Sequence, residues 1–175
     1  MFKKAFTSAI IFLFAIQGFA FQTAGEWQKL VPDDKSFSVL MPAAWEKNDS
    51  KKDSEVGPVV SQIWIAKMPN GDYNNVYLVG VTDYPIDLDP KSELDADRDK
   101  FLEAIKATLV SSTDITVGKI PGKEFVGKTD THTFKSVVFL IGRRAYQAAA
   151  GELTANMDEN RVEKFLGSFE LAQTS

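Results

Sequence analysis

His132 is the single histidine of the chain, and the sequence contains no cysteine. A histidine-based metal cluster, a thiolate nucleophile and a disulfide framework are therefore excluded together, and a Ser-His-Asp triad would have to use His132. This histidine lies in Thr129-Asp130-Thr131-His132-Thr133, a polar lead into an apolar run. Asp130 and Ser136 are its nearest candidate partners, but groups so close along one extended segment do not converge as a triad requires, and an exposed strand-end histidine is expected. The sequence has no G-x-S-x-G elbow, no phosphate-binding glycine loop and no H-E-x-x-H.

Acidic residues crowd between Asp83 and Asp99. Asp95, Asp97 and Asp99 have the one-three-five spacing of a calcium loop, yet Lys100 stands where the turn needs glycine and Lys106 where a bidentate glutamate should stand. Asp87-Leu88-Asp89 could suggest a phosphotransfer pair, but Pro90 follows and no nucleotide-type sheet surrounds it. The expectation is a solvated acidic face, with no catalytic residues, no metal and no cofactor. Binding is the remaining chemistry. Trp45 beside the charged stretch Lys47 to Glu55 could anchor a partner, with Lys47, Lys51, Lys52 and the acids Asp95 and Asp97 as candidate contacts.

At 175 residues, 44% hydrophobic and 25% charged, the chain is long enough for one well-buried core. Lys3 and Lys4 precede an apolar run from Ala9 to Ile16, and Gly18-Phe19-Ala20 puts small residues at a cleavage site. Residues 1–20 read as a secretory signal peptide and residues 21–175 as a single domain that is periplasmic or secreted after cleavage near Ala20; the alternative is an uncleaved N-terminal anchor. The apolar core is short for a membrane span, and none is expected in the mature chain. The net charge of −4 argues against phosphate backbones as partners, which need clustered Lys and Arg.

The element the rest is organised around is Phe134 to Gly151, which reads as a β-hairpin turning at Gly142-Arg143. Phe134, Val138 and Leu140 share one side of its first strand and Val137, Phe139 and Ile141 the other, so the strand belongs in the middle of a sheet covered on both faces. Earlier strands are expected at Glu26 to Pro32, Ser36 to Met41, Val59 to Lys67 and Asn75 to Asp83, with Glu46 to Pro58 as a mobile loop. Asp89-Pro90 starts a long helix whose apolar spacing runs to Val110. Short strands at Asp114 to Gly118 and Lys123 to Lys128 bracket a turn at Ile120-Pro121-Gly122, and Asn156 with Glu159 forms a capping box for a final helix ending near Gly167. Strands and helices do not alternate one by one, which favours α+β with a mainly antiparallel sheet.

Several short stretches follow one another in a telling order: Phe37-Ser38-Val39-Leu40-Met41-Pro42; Tyr77-Leu78-Val79 with Asp83-Tyr84-Pro85; Arg98-Asp99; Ile120-Pro121-Gly122-Lys123-Glu124-Phe125; Gly142-Arg143-Arg144-Ala145-Tyr146-Gln147; and Phe165-Leu166-Gly167-Ser168-Phe169. In that order the chain resembles bacterial exported members of the PsbP-like superfamily, which also holds DcrB-like envelope proteins. The resemblance implies an α-β-α sandwich around an antiparallel sheet, used for binding and without a shared catalytic set. The functional expectation is an exported, non-enzymatic protein that docks a protein partner in the cell envelope. The alternative is a periplasmic carrier of a small apolar or lipid ligand, in a pocket bordered by Trp64 or Tyr146. A hydrolase using His132 ranks third, and the oligomeric state stays open.

Overall fold

The computed structural model describes residues 26–172 apart from Ala43 and Val56, so the expected signal peptide lies outside the described residues. Ten strands and two helices follow in the order β1 (Trp27–Leu30), β2 (Phe37–Pro42), β3 (Glu46–Ser54), β4 (Gly57–Asn70), β5 (Tyr73–Asp83), α1 (Pro90–Ile105), β6 (Thr108–Val117), β7 (Ile120–Lys128), β8 (His132–Ile141), β9 (Arg144–Leu153), α2 (Glu159–Leu166) and β10 (Glu170–Leu171). Seven of the strands form one antiparallel sheet in the order β3-β4-β5-β9-β8-β7-β6, and β1-β2-β10 form a smaller one. The fold is α+β and mainly antiparallel. No helix among the described residues is long and apolar enough to cross a membrane.

The hairpin sits where its two-faced pattern requires, with β9 at the centre of the large sheet and β8 beside it. Gly142, at φ 59°, supplies the positive dihedral of the two-residue turn. Successive residues of β8 point to opposite faces. Val138 and Leu140 join Phe125 and Ala145 against Leu94 and Leu102 of α1. Phe139 joins Trp64, Tyr77, Val79, Tyr146 and Ala148 against Phe37, Val39 and Met41 of the small sheet and Val162 and Phe165 of α2. The second face is thus covered by a helix and a three-stranded sheet together, a layer the sequence expectation assigned to helix alone.

Helix α1 begins as its sequence predicts, with the Asp89 carboxylate accepting from Ser92 N and Pro90 in the first turn. It stops earlier than predicted. Lys106 takes a left-handed conformation at φ 54°, its N–H returns to Glu103 O, and the chain leaves as β6, so Leu109 is an exposed strand residue. The stretch expected as a mobile loop at 46–58 is β3 with the start of β4. All nine β3 side chains are exposed, so no apolar period marks the strand; its ladder with β4, from Glu46↔Ile65 to Ser54↔Gly57, holds it by backbone bonds.

The expected turn at Ile120-Pro121-Gly122 lies instead at Gly118-Lys119, between Val117 and Ile120. Pro121 precedes the first β7–β8 pair, Gly122↔Phe139, so its missing N–H leaves no bond to β8 unmade. Gly122 is buried under the Phe139 ring, where a side chain has no room. The last helix is capped by Asp158, whose carboxylate accepts from Arg161 N, and Asn156 exchanges side-chain amide bonds with Asn70 instead of capping.

Candidate functional site

Helix α1 contacts β7 and β8, and therefore covers only one half of its face of the sheet. The other half is floored by Ile63 and Ile65 of β4 and Leu78, Gly80 and Thr82 of β5. Phe101, Ala104 and Ile105 of α1 form one wall, and Ser50, Lys52 and Ser54 of β3 form the other. Between them runs an open trough of about 790 Å³. Its floor is apolar except for the Ser61–Thr82 hydroxyl pair at 3.1 Å and Gln147, which donates to Ser136 Oγ at 3.0 Å.

The polar end of the trough is lined by Tyr84, Asp97 and Lys100, with Glu93 beside Lys100. Glu93 and Asp97 stand one helical turn apart on α1 and face the same way. Tyr84 OH donates to Asp97 Oδ1 at 3.0 Å, whereas Asp97 Oδ2 and Glu93 Oε1 are buried without a hydrogen bond. Lys100 Nζ lies 3.6 Å from Glu93 Oε1. Burial pushes the Asp97 carboxyl up to about 6; the Tyr84 bond opposes that rise and the neighbouring Glu93 charge adds to it. The Tyr84 phenol is raised as well, by burial and by the same two carboxylates.

Of the six contacts expected from the sequence, Lys52 and Asp97 line this trough. The other four do not. Lys47 pairs with Asp49 at 3.2 Å and lies over the Trp64 ring, on the opposite face, and Lys51, four residues along the strand, points to that side too. Trp45 is half-buried against the core cluster that contains Trp64. Asp95 turns toward β7, where it pairs with Lys123 at 3.1 Å as well as with Arg98 of its own helix at 2.8 Å, and is held below the usual carboxylate range by those partners, the Lys123 bond first. Trp64 and Tyr146, expected to border an apolar pocket, are 5% exposed within the packed core, on the face away from the trough. The lining residues Ile63, Leu78, Tyr84, Phe101 and Ile105 were not singled out as a site. Their apolar spacing was visible, but it read as core.

His132 is half-buried and engaged through both ring nitrogens, Nδ1 with Thr131 Oγ1 at 2.8 Å and Nε2 with Asn74 O at 3.0 Å. Ser136 is buried and donates to Ala148 O at 3.1 Å. Neither geometry resembles an activated nucleophile and base. The most buried carboxylate, Glu152, is structural in its surroundings. Burial alone would raise its carboxyl, but Arg161 Nε and Nη2 donate at 2.7 and 2.8 Å, Asp158 N donates at 2.9 Å, and Tyr77 OH donates from below, which together hold it down.

No family model and no curated protein matches the sequence. Among solved structures, the solution structure of cyanobacterial PsbP (CyanoP) from Synechocystis sp. PCC 6803 aligns with a TM-score of 0.50 and 12% identity, over 90% of this chain and 99% of that one. A crystal structure from Bacteroides thetaiotaomicron aligns with a TM-score of 0.40 and 15% identity, over 83% of this chain and 48% of that one, a likeness too loose to build on. The chain is thus similar to cyanobacterial PsbP, and the similarity is one of fold alone.

Proposed function

We propose that this chain is an exported, non-enzymatic binding protein of the cell envelope, that its architecture is an α-β-α sandwich with one helix layer half filled, and that an amphipathic helix of a protein partner occupies the vacant half. The carrying observation is the trough between α1 and β3. It spans three strands at a spacing of about 4.8 Å, enough for one helix roughly 10 Å across. Its floor of Ile63, Ile65 and Leu78 suits an apolar stripe, and Lys52 and Lys100 on opposite rims suit acidic residues flanking that stripe. Export rests on the leader-like residues 1–20. The non-enzymatic reading is supported by the engagement of both His132 nitrogens and by the burial of Ser136.

The test is photo-crosslinking from position 104 in native envelopes, with the crosslinked peptide of the partner sequenced. A helical segment with an apolar stripe and flanking acids is expected, and Ile63→Glu should abolish the crosslink. Crosslinks that persist in Ile63→Glu, or that map to segments without an apolar stripe, would overturn the reading.

The apolar floor also favours a second reading, a carrier of a small apolar or lipid ligand in the same trough. Native mass spectrometry of the purified protein decides it. A co-purified small-molecule adduct lost in Ile63→Glu supports the carrier, and a bare mass removes it.

A further inference from the structure

The large sheet ends in two edges of opposite character. Edge β3 carries Glu46, Lys47, Asp49, Lys51, Lys52 and Asp53, a density of charge that blunts strand pairing. Edge β6, Thr-Leu-Val-Ser-Ser-Thr-Asp-Ile-Thr-Val, has one charge, no Lys, no Arg and no Pro, and is exposed along its length except at Ile115. It also carries Leu109, Val110 and Val117, three of the seven large apolar side chains exposed on the described residues. Two things temper this edge. A bulge falls between Leu109 and Ser111, and the one charge, Asp114, is paired with Lys123 of β7.

The ladder fixes which amides face outward. Val117 and Ile120 flank a two-residue turn and so exchange backbone bonds, and the alternation of an antiparallel pair then turns the amides of Thr113 and Ile115 inward as well. The amides of Ser112, Asp114 and Thr116 face solvent. Their side chains stand on the α1 side, where Arg98 Nη1 donates to Ser112 Oγ at 3.2 Å.

We infer that β6 pairs antiparallel with the β6 of a second copy of this chain, about a two-fold axis through Thr113. This register sets Ser112 opposite the second copy's Asp114, two residues whose amides both point outward and can exchange bonds. It also brings each Asp114 beside the Ser112 hydroxyl and the Arg98 guanidinium of the other chain, so each copy supplies the acceptor from β6 and the donors from β6 and α1. An axis through Asp114 would oppose two carboxylates, and an axis through Ile115 would leave each Asp114 facing Thr116 without that cation. Beyond Ser112 and Asp114, Val110 meets the second copy's Thr116, and the bulge ends the ladder there. The trough lies on the β3 side of α1 and stays open in the dimer.

Sedimentation velocity across a concentration series, with hydrogen exchange on the same samples, tests this. The purified chain should reach twice the single-chain mass, with the Ser112 and Asp114 amides protected only as the dimer forms. Ser112→Glu keeps a partner in its own Arg98 but faces the second copy's Asp114, and should weaken the dimer about tenfold. Ser112→Glu combined with Asp114→Asn should restore it. A single-chain mass at every concentration, a dimer indifferent to Ser112→Glu, or Ser112 and Asp114 amides that stay unprotected while the mass doubles would each overturn the inference. The exchange readout needs no variant, so it decides the matter even where Ser112→Glu fails to fold.

Discussion

Asp97→Asn should stabilise the protein at neutral pH. In the folded chain burial raises this carboxyl from 3.8 to about 6, so above pH 6 the fold holds a charge that its surroundings disfavour. The rise corresponds to roughly 3 kcal/mol at ~1.4 kcal/mol per pH unit, and the partial solvent access of the site reduces the expected gain to about 1 to 2 kcal/mol. The amide should also repair the bonding. Its oxygen can still accept from Tyr84 OH, and its N–H can donate to Glu93 Oε1, which has no hydrogen bond. The raised folded value sets the sign of the pH dependence: Asp97 contributes increasing stability as pH falls through about 6, complete below 3.8, so the advantage of the variant is full above pH 7 and vanishes near pH 4. Asp34, Asp89, Asp95 and Glu152 are held below the usual carboxylate range and act in the opposite sense near pH 4, so the informative quantity is the difference between the chain and its variant. Scanning calorimetry at pH 7.5, 6 and 4.5 should show a Tm difference of about 3 to 6 °C that shrinks on acidification. A variant less stable than the natural chain at pH 7.5, or a difference constant with pH, would refute the reasoning.

Arg161→Met should destabilise the fold by about 3 to 4 kcal/mol in urea unfolding at pH 7, because it strips the buried Glu152 carboxylate of its cation. Glu152 is held low, so its stabilisation is present above its ordinary 4.5 and lost as pH falls through the folded value, and the deficit of the variant should narrow in acid. Gly122→Ala should cost about 1 to 3 kcal/mol by the same assay, since a Cβ there meets the Phe139 ring and Val138 O. Ile63→Glu, on the half-buried trough floor, should leave Tm within about 2 °C while removing the crosslink from position 104.

What the sequence disclosed was whatever side-chain pattern determines. The β8–β9 hairpin was legible because both faces of β8 are apolar and Gly142-Arg143 has turn chemistry, and α1 because Asp89-Pro90 is a cap. Strand β3 was hidden because a fully exposed edge is held by its backbone ladder and leaves no apolar period. The end of α1 was hidden because Leu109 continues the helical spacing across Lys106, a left-handed residue where glycine would have announced the break. For the site, Lys52 and Asp97 were named, but the trough between them depends on how far α1 is displaced toward β7, and no local pattern encodes a lateral offset.

That offset links the two proposed surfaces. A helix centred on the sheet would shield both flanks of its face, whereas α1, sitting over β7 and β8, brings Arg98 within reach of the β6 edge and leaves β4 and β5 open. One displacement thus equips one edge with a cation for strand pairing and vacates a helix-wide space beside the other. The two surfaces differ in chemistry, backbone amides with one ion pair against an apolar floor, and no residue belongs to both. Ile63→Glu should therefore leave the mass of the dimer unchanged, and Ser112→Glu should leave the crosslink from position 104 intact. If either substitution moved both readouts, α1 would be shifting as a body between the surfaces, and a fixed offset would no longer account for them.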